Sequence, residues 1–122
     1  MTRRILVVDD DAAVGKTVGR ALRTMGYEVV TISDPMDAYE LLETHRFDLV
    51  LIDVNMPGMS GDALFVALVR RAPELAARVL LMSGDPWGAE HRWPADLPRC
   101  PMLAKPFGLD VLGRMVADAI ND

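Results

Sequence analysis

Five short apolar runs alternate with helical patterns along the whole chain, and this alternation restricts the fold more than any other feature. The runs cover residues 5–8, 28–32, 49–52, 79–82 and 102–104. Four of them are continuously apolar, which is typical of parallel strands that helices cover on both faces. The run at 28–32 mixes polar and apolar residues, which favours a place at the edge of the sheet.

The segments between the runs carry helix signals. Asp11 can cap a first helix that ends before Gly26, and Asp34 followed by Pro35 opens a second. A third helix is predicted at about 62–71 and a last one at about 109–120. Residues 83–101 contain four prolines and two glycines, so a helix there is short, around 87–92.

This order predicts a doubly wound (βα)5 fold of the α/β class, a three-layer sandwich with right-handed crossovers. We expect a sheet of five parallel strands with a short or irregular fourth helix. The length of 122 residues and the 51% hydrophobic content suit a single domain over residues 1–122 with its own core.

Charge and cysteine content exclude several functions. A formal net charge of −5 gives no basic field for direct nucleic acid binding. The apolar runs are far too short to span a membrane. A single cysteine, Cys100, is consistent with a reducing compartment, so we expect a cytoplasmic protein.

Polar side chains follow the predicted strands at the points where the strands end, and those after four of the strands are candidate site residues. Asp9 and Asp10 follow the first strand, Asp53 the third, Ser83 the fourth and Lys105 the fifth. If the first and third strands are neighbours, the three carboxylates converge, and Mg²⁺ is the cation that such oxygen ligands favour. Together with the ammonium and the hydroxyl they would form a receptor for a phosphoryl group, with Asp53 as the best-placed nucleophile.

Four stretches resemble the receiver domain of two-component response regulators, in matching order and spacing over the whole chain. They are ILVVDDD from Ile5, DLVLIDVNMPGMSG from Asp48, LLMSGD from Leu80 and LAKPF from Leu103. The resemblance implies a flavodoxin-like sheet with the strand order 2-1-3-4-5. It also implies a role for each matching residue. Mg²⁺ would be bound by Asp9, Asp10, Asp53 and the main-chain carbonyl of Asn55. Asp53 would also be the phosphoacceptor, Ser83 the hydroxyl that turns toward the phosphoryl group, and Lys105 the lysine that pairs with it.

The same resemblance implies a function and partners. A receiver domain takes a phosphoryl group from a histidine kinase or histidine phosphotransfer protein and then changes its contacts with an output protein or domain. It catalyses only its own phosphorylation and dephosphorylation, so it is not an enzyme in the usual sense. The output partner is not identified by the sequence, and a weak homodimer is compatible with it.

Two alternatives use the same residues differently. A Mg²⁺-dependent phosphohydrolase of the haloacid-dehalogenase type also forms an aspartyl phosphate, but it requires an aspartate two residues after the nucleophile, where this chain has Asn55. A degenerate receiver would be a constitutive interaction module, which the full set of chemical residues disfavours. For Ser83 a local alternative is the capping of the next short helix.

Overall fold

A parallel five-stranded sheet forms the centre of the computed structural model, which describes residues 2–54, 61–85, 88 and 100–121. The strands are β1 (Arg4–Val8), β2 (Glu28–Ile32), β3 (Leu49–Asp53), β4 (Val79–Ser83) and β5 (Met102–Ala104). Their order is β2-β1-β3-β4-β5, and all four pairings are parallel. The predicted strand order and the edge position of β2 are confirmed.

Helices connect the strands and cover both faces of the sheet. They are α1 (Ala12–Thr24), α2 (Pro35–Thr44), α3 (Gly61–Arg71), a 3₁₀ helix (Pro73–Arg78) and the C-terminal helix (Leu109–Asn121). The 3₁₀ helix was not predicted. The short helix expected at 87–92 falls on residues that, Gly88 excepted, lie outside the described part of the chain.

Two apolar cores lie on opposite faces of the sheet, and successive residues of one strand belong to different cores. In β1, Leu6 and Val8 pack toward α2 and α3, whereas Ile5 and Val7 pack toward α1 and the C-terminal helix. All four are fully buried. This two-sided burial explains why the strand sequences are continuously apolar, and it confirms the three-layer sandwich.

The caps of the first two helices are those that the sequence predicts. The Asp11 carboxylate accepts hydrogen bonds from the main-chain N–H groups of Ala13 and Val14, and the Asp34 carboxylate accepts one from Met36. Gly26 follows α1 with a φ of 100°, a conformation that favours glycine. Three residues separate the carboxyl end of β1 from α1, and two separate that of β2 from α2.

Candidate functional site

Three carboxylates meet at the carboxyl end of the sheet. Asp9 follows β1, Asp53 is the last residue of β3, and these two strands are neighbours. One carboxylate oxygen from each of Asp9, Asp10 and Asp53 lies within 4.8 Å of the others. Asp9 and Asp53 are buried, and Asp10 is exposed. The structure thus brings together the acidic residues that the sequence analysis selected, with one side of the carboxylate cluster open to solvent.

Lys105 supplies the positive charge at this site. Its Nζ lies 2.8 Å from Asp9 Oδ2 and 3.4 Å from Asp53 Oδ2. Burial alone would lower the pKa of Lys105, but the hydrogen bond to Asp9 and the negative charges of Asp53 and Asp9 outweigh it and raise that pKa above its ordinary value. Lys105 is therefore fully charged at neutral pH. The peptide bond between Lys105 and Pro106 is cis.

Asp9 is held in place through both of its carboxylate oxygens. Asp9 Oδ2 accepts from Lys105, and Asp9 Oδ1 accepts from the main-chain N–H of Asp11 at 3.0 Å. The main-chain N–H of Asp9 donates to the carbonyl of Ile32 at 3.1 Å, which extends the pairing of β1 with β2 by one residue. The carboxylate therefore has a fixed orientation before any ligand binds.

Ser83 makes a local hydrogen bond at the end of β4, and the short helix that it was alternatively expected to cap lies, Gly88 excepted, outside the described residues. The Ser83 side chain is fully buried at the end of β4, and its Oγ accepts a hydrogen bond from the main-chain N–H of Asp85 at 3.0 Å. The Asp85 carboxylate in turn accepts from the main-chain N–H of Gly88 at 3.0 Å. The hydroxyl proton of Ser83 is not used in this turn, so its role toward a phosphoryl group stays a prediction.

The donor set fits a hard divalent cation. Among the described residues the cluster offers only carboxylate oxygens, the ligands that Mg²⁺ prefers, and no histidine or cysteine that zinc would require. Lys105 balances only part of the negative charge of three carboxylates, so a divalent cation is electrostatically favoured here. Asn55, which was expected to add a main-chain carbonyl, lies outside the described residues.

An apolar groove borders this site and was not foreseen from the sequence. Its cavity has a volume of about 480 Å³ and lies between α1 and the segment that follows β5. Val14 and Val18 form one wall, and Lys105, Phe107 and Leu109 form the other. The side chain of Leu109 is 55% exposed, which is high for a leucine next to a core. The groove is thus an apolar surface that begins at the charged lysine of the site.

Sequence comparison identifies one family over nearly the whole chain. The family model described as "Response regulator receiver domain" matches residues 5–117. The "Response regulator receiver protein CpdR" of Brucella abortus is 35% identical over 109 residues, which are 88% of this chain and 88% of that protein. The "Transcriptional regulatory protein CrdR" of Helicobacter pylori is 30% identical over the full chain, which spans only 57% of its length.

Structural comparison agrees with this result. The response regulator TrrA of Thermotoga maritima, solved in complex with Mg²⁺ and BeF, has a TM-score of 0.83 and 27% sequence identity, with 97% of this chain and 99% of that chain covered. The chain spans about half the length of several curated relatives that it matches. None of the helices in the described part of the chain has the length and hydropathy needed to span a bilayer.

Proposed function

Because the chain belongs to the response regulator receiver domain family of two-component systems, we propose that it accepts a phosphoryl group on Asp53. A receiver domain is a signalling module and does not process a metabolite. The observation that carries the proposal is the Lys105 ammonium, which lies between Asp9 and Asp53 in a cluster of three carboxylates. A phosphoryl group attached to Asp53 would enter a site that already contains a positive charge.

The transfer assigned to Asp53 is a displacement at phosphorus. One carboxylate oxygen of Asp53 forms a bond to the phosphorus atom of a phosphohistidine, and the bond from phosphorus to the imidazole nitrogen breaks. The electron pair of that bond stays on the imidazole. Lys105 compensates the negative charge that the phosphoryl oxygens bring, and the hydroxyl of Ser83, whose proton the turn to Asp85 leaves unused, donates a hydrogen bond to one of them.

Mg²⁺ is the cofactor that this proposal includes, bound by Asp9, Asp10, Asp53 and the main-chain carbonyl of Asn55. When bound, it neutralises charge on the phosphoryl oxygens. Hydrolysis of the acyl phosphate in the same site would return Asp53 to the free carboxylate, so that self-phosphorylation and dephosphorylation are the only chemistry of the domain.

The phosphodonor is proposed to be a histidine kinase or a histidine phosphotransfer protein. A protein donor can cover the apolar groove beside Lys105 while its phosphohistidine enters the carboxylate cluster. We place this module in the cytoplasm, and we assign residues 1–122 to a single receiver domain that acts on an output protein or domain. The comparisons do not support the haloacid-dehalogenase alternative.

Phosphorylation by a small donor tests the assignment of Asp53. After incubation with acetyl phosphate and Mg²⁺, intact-mass measurement should show one added phosphoryl group, removable by hydroxylamine as expected of an acyl phosphate. Asp53→Asn should abolish it. The matched control is Asp37→Asn, which removes an exposed carboxylate in the first turn of α2 and should leave the modification unchanged. A phosphoryl group that persists in Asp53→Asn contradicts the proposal.

A further inference from the structure

A row of three basic side chains lies along α1 next to the edge strand β2. Lys16, Arg20 and Arg23 are four and three positions apart, so they share one face of the helix over about 10 Å. All three are exposed, and with Thr24 and Thr31 they line an open cleft of about 360 Å³. This basic cleft lies on a chain whose formal net charge is −5.

No carboxylate in the described part of the chain forms an ion pair with these three cations. Ion pairs there use other basic residues, namely Arg3, Arg4, Arg71 and Lys105. The sequence of α1 contains no Asp or Glu, and no acidic residue lines the cleft. Arg23 donates only to the main-chain carbonyl of Val29, at 2.9 Å. Asp9 lines a neighbouring pocket with Lys16 and Thr31 but pairs with Lys105, so no ion pair among the described residues neutralises the three cations of the basic cleft.

The main chain of β2 contributes to the same cleft. The carbonyl of Ile32 accepts from Asp9 on the β1 side, so the alternate residues Val29 and Thr31 direct their main-chain groups away from β1. The carbonyl of Val29 accepts a hydrogen bond from the Arg23 side chain. The main-chain groups of Thr31 face the outer edge of the sheet, where an extended chain can approach them.

We propose that the basic cleft binds an extended acidic segment of a partner protein. In an extended chain, alternate side chains point to the same side and lie about 7 Å apart. Lys16 and Arg20 are separated by about 6 Å along the helix axis, and Arg23 follows after a further 4.5 Å or so. Carboxylates at alternate positions of an extended segment are spaced much like Lys16 and Arg20, and the long side chain of Arg23 can bridge the difference of about 3 Å that remains at the third position. A segment bound in this way would bring its main chain toward the outward-facing main-chain groups of Thr31.

The geometry favours such a segment over other anions. A single phosphate needs donors that converge on one point, whereas these cations are spread along the helix, and the Thr24 hydroxyl already donates to the carbonyl of Arg20 at 3.0 Å. A nucleic acid would extend beyond the row onto a chain with excess negative charge, which opposes its binding. A short acidic segment can stay within the length of the row of cations and so avoids the negatively charged surface beyond it.

Titration with a model peptide tests the proposal without any phosphodonor. The probe is Glu-Ser-Glu-Ser-Glu with blocked ends, and the matched peptide has Gln in place of Glu. In ¹⁵N NMR spectra at low salt, the Glu peptide should shift amides between residues 16 and 31, the Gln peptide should not, and about 300 mM salt should suppress the shifts. The Lys16→Glu/Arg20→Glu variant should bind about tenfold more weakly or worse.

A second charge-reversed variant controls for net charge. Arg70→Glu/Arg114→Glu changes the charge by the same amount at exposed positions on α3 and the C-terminal helix, and it should bind the Glu peptide like the parent. The proposal is overturned if both variants lose the same affinity for the Glu peptide, or if the peptide shifts only amides outside residues 16–31. It is also overturned if pyrophosphate, an oligonucleotide or anionic lipid vesicles bind these residues while the Glu peptide does not.

Discussion

Replacement of Asp10 by asparagine should have opposite effects on the stability of the protein without Mg²⁺ and on its affinity for Mg²⁺. Asp10 contributes one oxygen to a group of three that lie within 4.8 Å of one another. Without a cation the three carboxylates repel. Asp10→Asn keeps the shape of the side chain and removes one of the charges, so the free energy of unfolding in the absence of Mg²⁺ should rise.

The distance gives the magnitude. Two unit charges 4.8 Å apart repel by about 0.9 kcal/mol in a water-like dielectric, which is appropriate because Asp10 is exposed. Asp10 is repelled by two carboxylates, and the ammonium of Lys105, which pairs with both of them, offsets part of that repulsion, so the relief amounts to about 1 kcal/mol. For a domain of this size that corresponds to a rise in Tm of about 4 °C.

Mg²⁺ should reverse the order of stability. A cation present at a hundred times its Kd stabilises the folded state by about 2.7 kcal/mol, and a tenfold weaker Kd reduces this gain to about 1.4 kcal/mol. Thermal melts of the parent and of Asp10→Asn, with and without Mg²⁺, measure both effects. The smaller gain in the variant is the result that identifies Asp10 as a ligand.

Asp11→Asn is the matched control. It removes a carboxylate one residue away, outside the cluster, and asparagine caps a helix as well as aspartate does. Its gain from Mg²⁺ should equal that of the parent. If Asp10→Asn gains as much from Mg²⁺ as the parent, or if Asp11→Asn loses as much as Asp10→Asn, the placement of the cation at Asp10 is refuted.

Three further predictions concern packing and ionisation. An added Cβ at Gly19 would lie 2.9 Å from Thr31 Cγ2, whereas none of the neighbouring atoms lies within 4 Å of one at Gly15. Gly19→Ala should therefore lower the free energy of unfolding by about 1 kcal/mol, and Gly15→Ala should raise it by a similar amount. Urea unfolding measures both, and Thr31→Ser, which removes the Cγ2 atom, should restore the stability of Gly19→Ala. Burial raises the pKa of the Cys100 thiol to about 11, so alkylation at about pH 8 should be at least tenfold slower than for free cysteine, which mass spectrometry can follow. The pKa of Lys105 is raised above 10.5 in the folded state, so the ion pairs of Lys105 stabilise the fold below pH 10.5 and are lost as the pH rises further. The difference in unfolding free energy between the parent and Lys105→Gln should therefore shrink only above about pH 10.5.

Most of the fold could be predicted because its signals are local. A cap at Asp11 and a left-handed glycine at Gly26 fix the limits of α1 from the sequence alone. The ends of β3 and β4 differ from the prediction by one residue each, because Asp53 and Ser83 still pair with the neighbouring strands. The polarity of these two residues predicts that their side chains leave the apolar core, but the limits of a strand are set by the pairing of its main chain. The 3₁₀ helix at Pro73–Arg78 is too short to produce a periodic pattern.

The candidate site divides in the same way. The convergence of Asp9 and Asp53 follows from the strand order, which the resemblance to receiver domains implied and the structure confirms. The closer approach of Lys105 to Asp9 than to Asp53, and the turn between Ser83 and Asp85, depend on side-chain rotamers and loop geometry that no spacing encodes. The basic cleft was missed because the sequence does not show which carboxylates pair with which cations, and in the described part of the chain the ion pairs use basic residues other than Lys16, Arg20 and Arg23.

The ion pair between Lys105 and Asp9 joins residues 96 positions apart in the chain. During synthesis at about 5 to 20 residues per second, Asp9 is made some 5 to 20 seconds before the lysine that balances it. A nascent chain that has completed β3 contains the carboxylates of Asp9, Asp10 and Asp53 but no Lys105. Their mutual repulsion opposes early closure of that end of the sheet. The lysine that follows the last strand of this sheet therefore brings the protein's own countercharge, and the repulsion among the three carboxylates is partly relieved by Lys105 only after β5 has been translated.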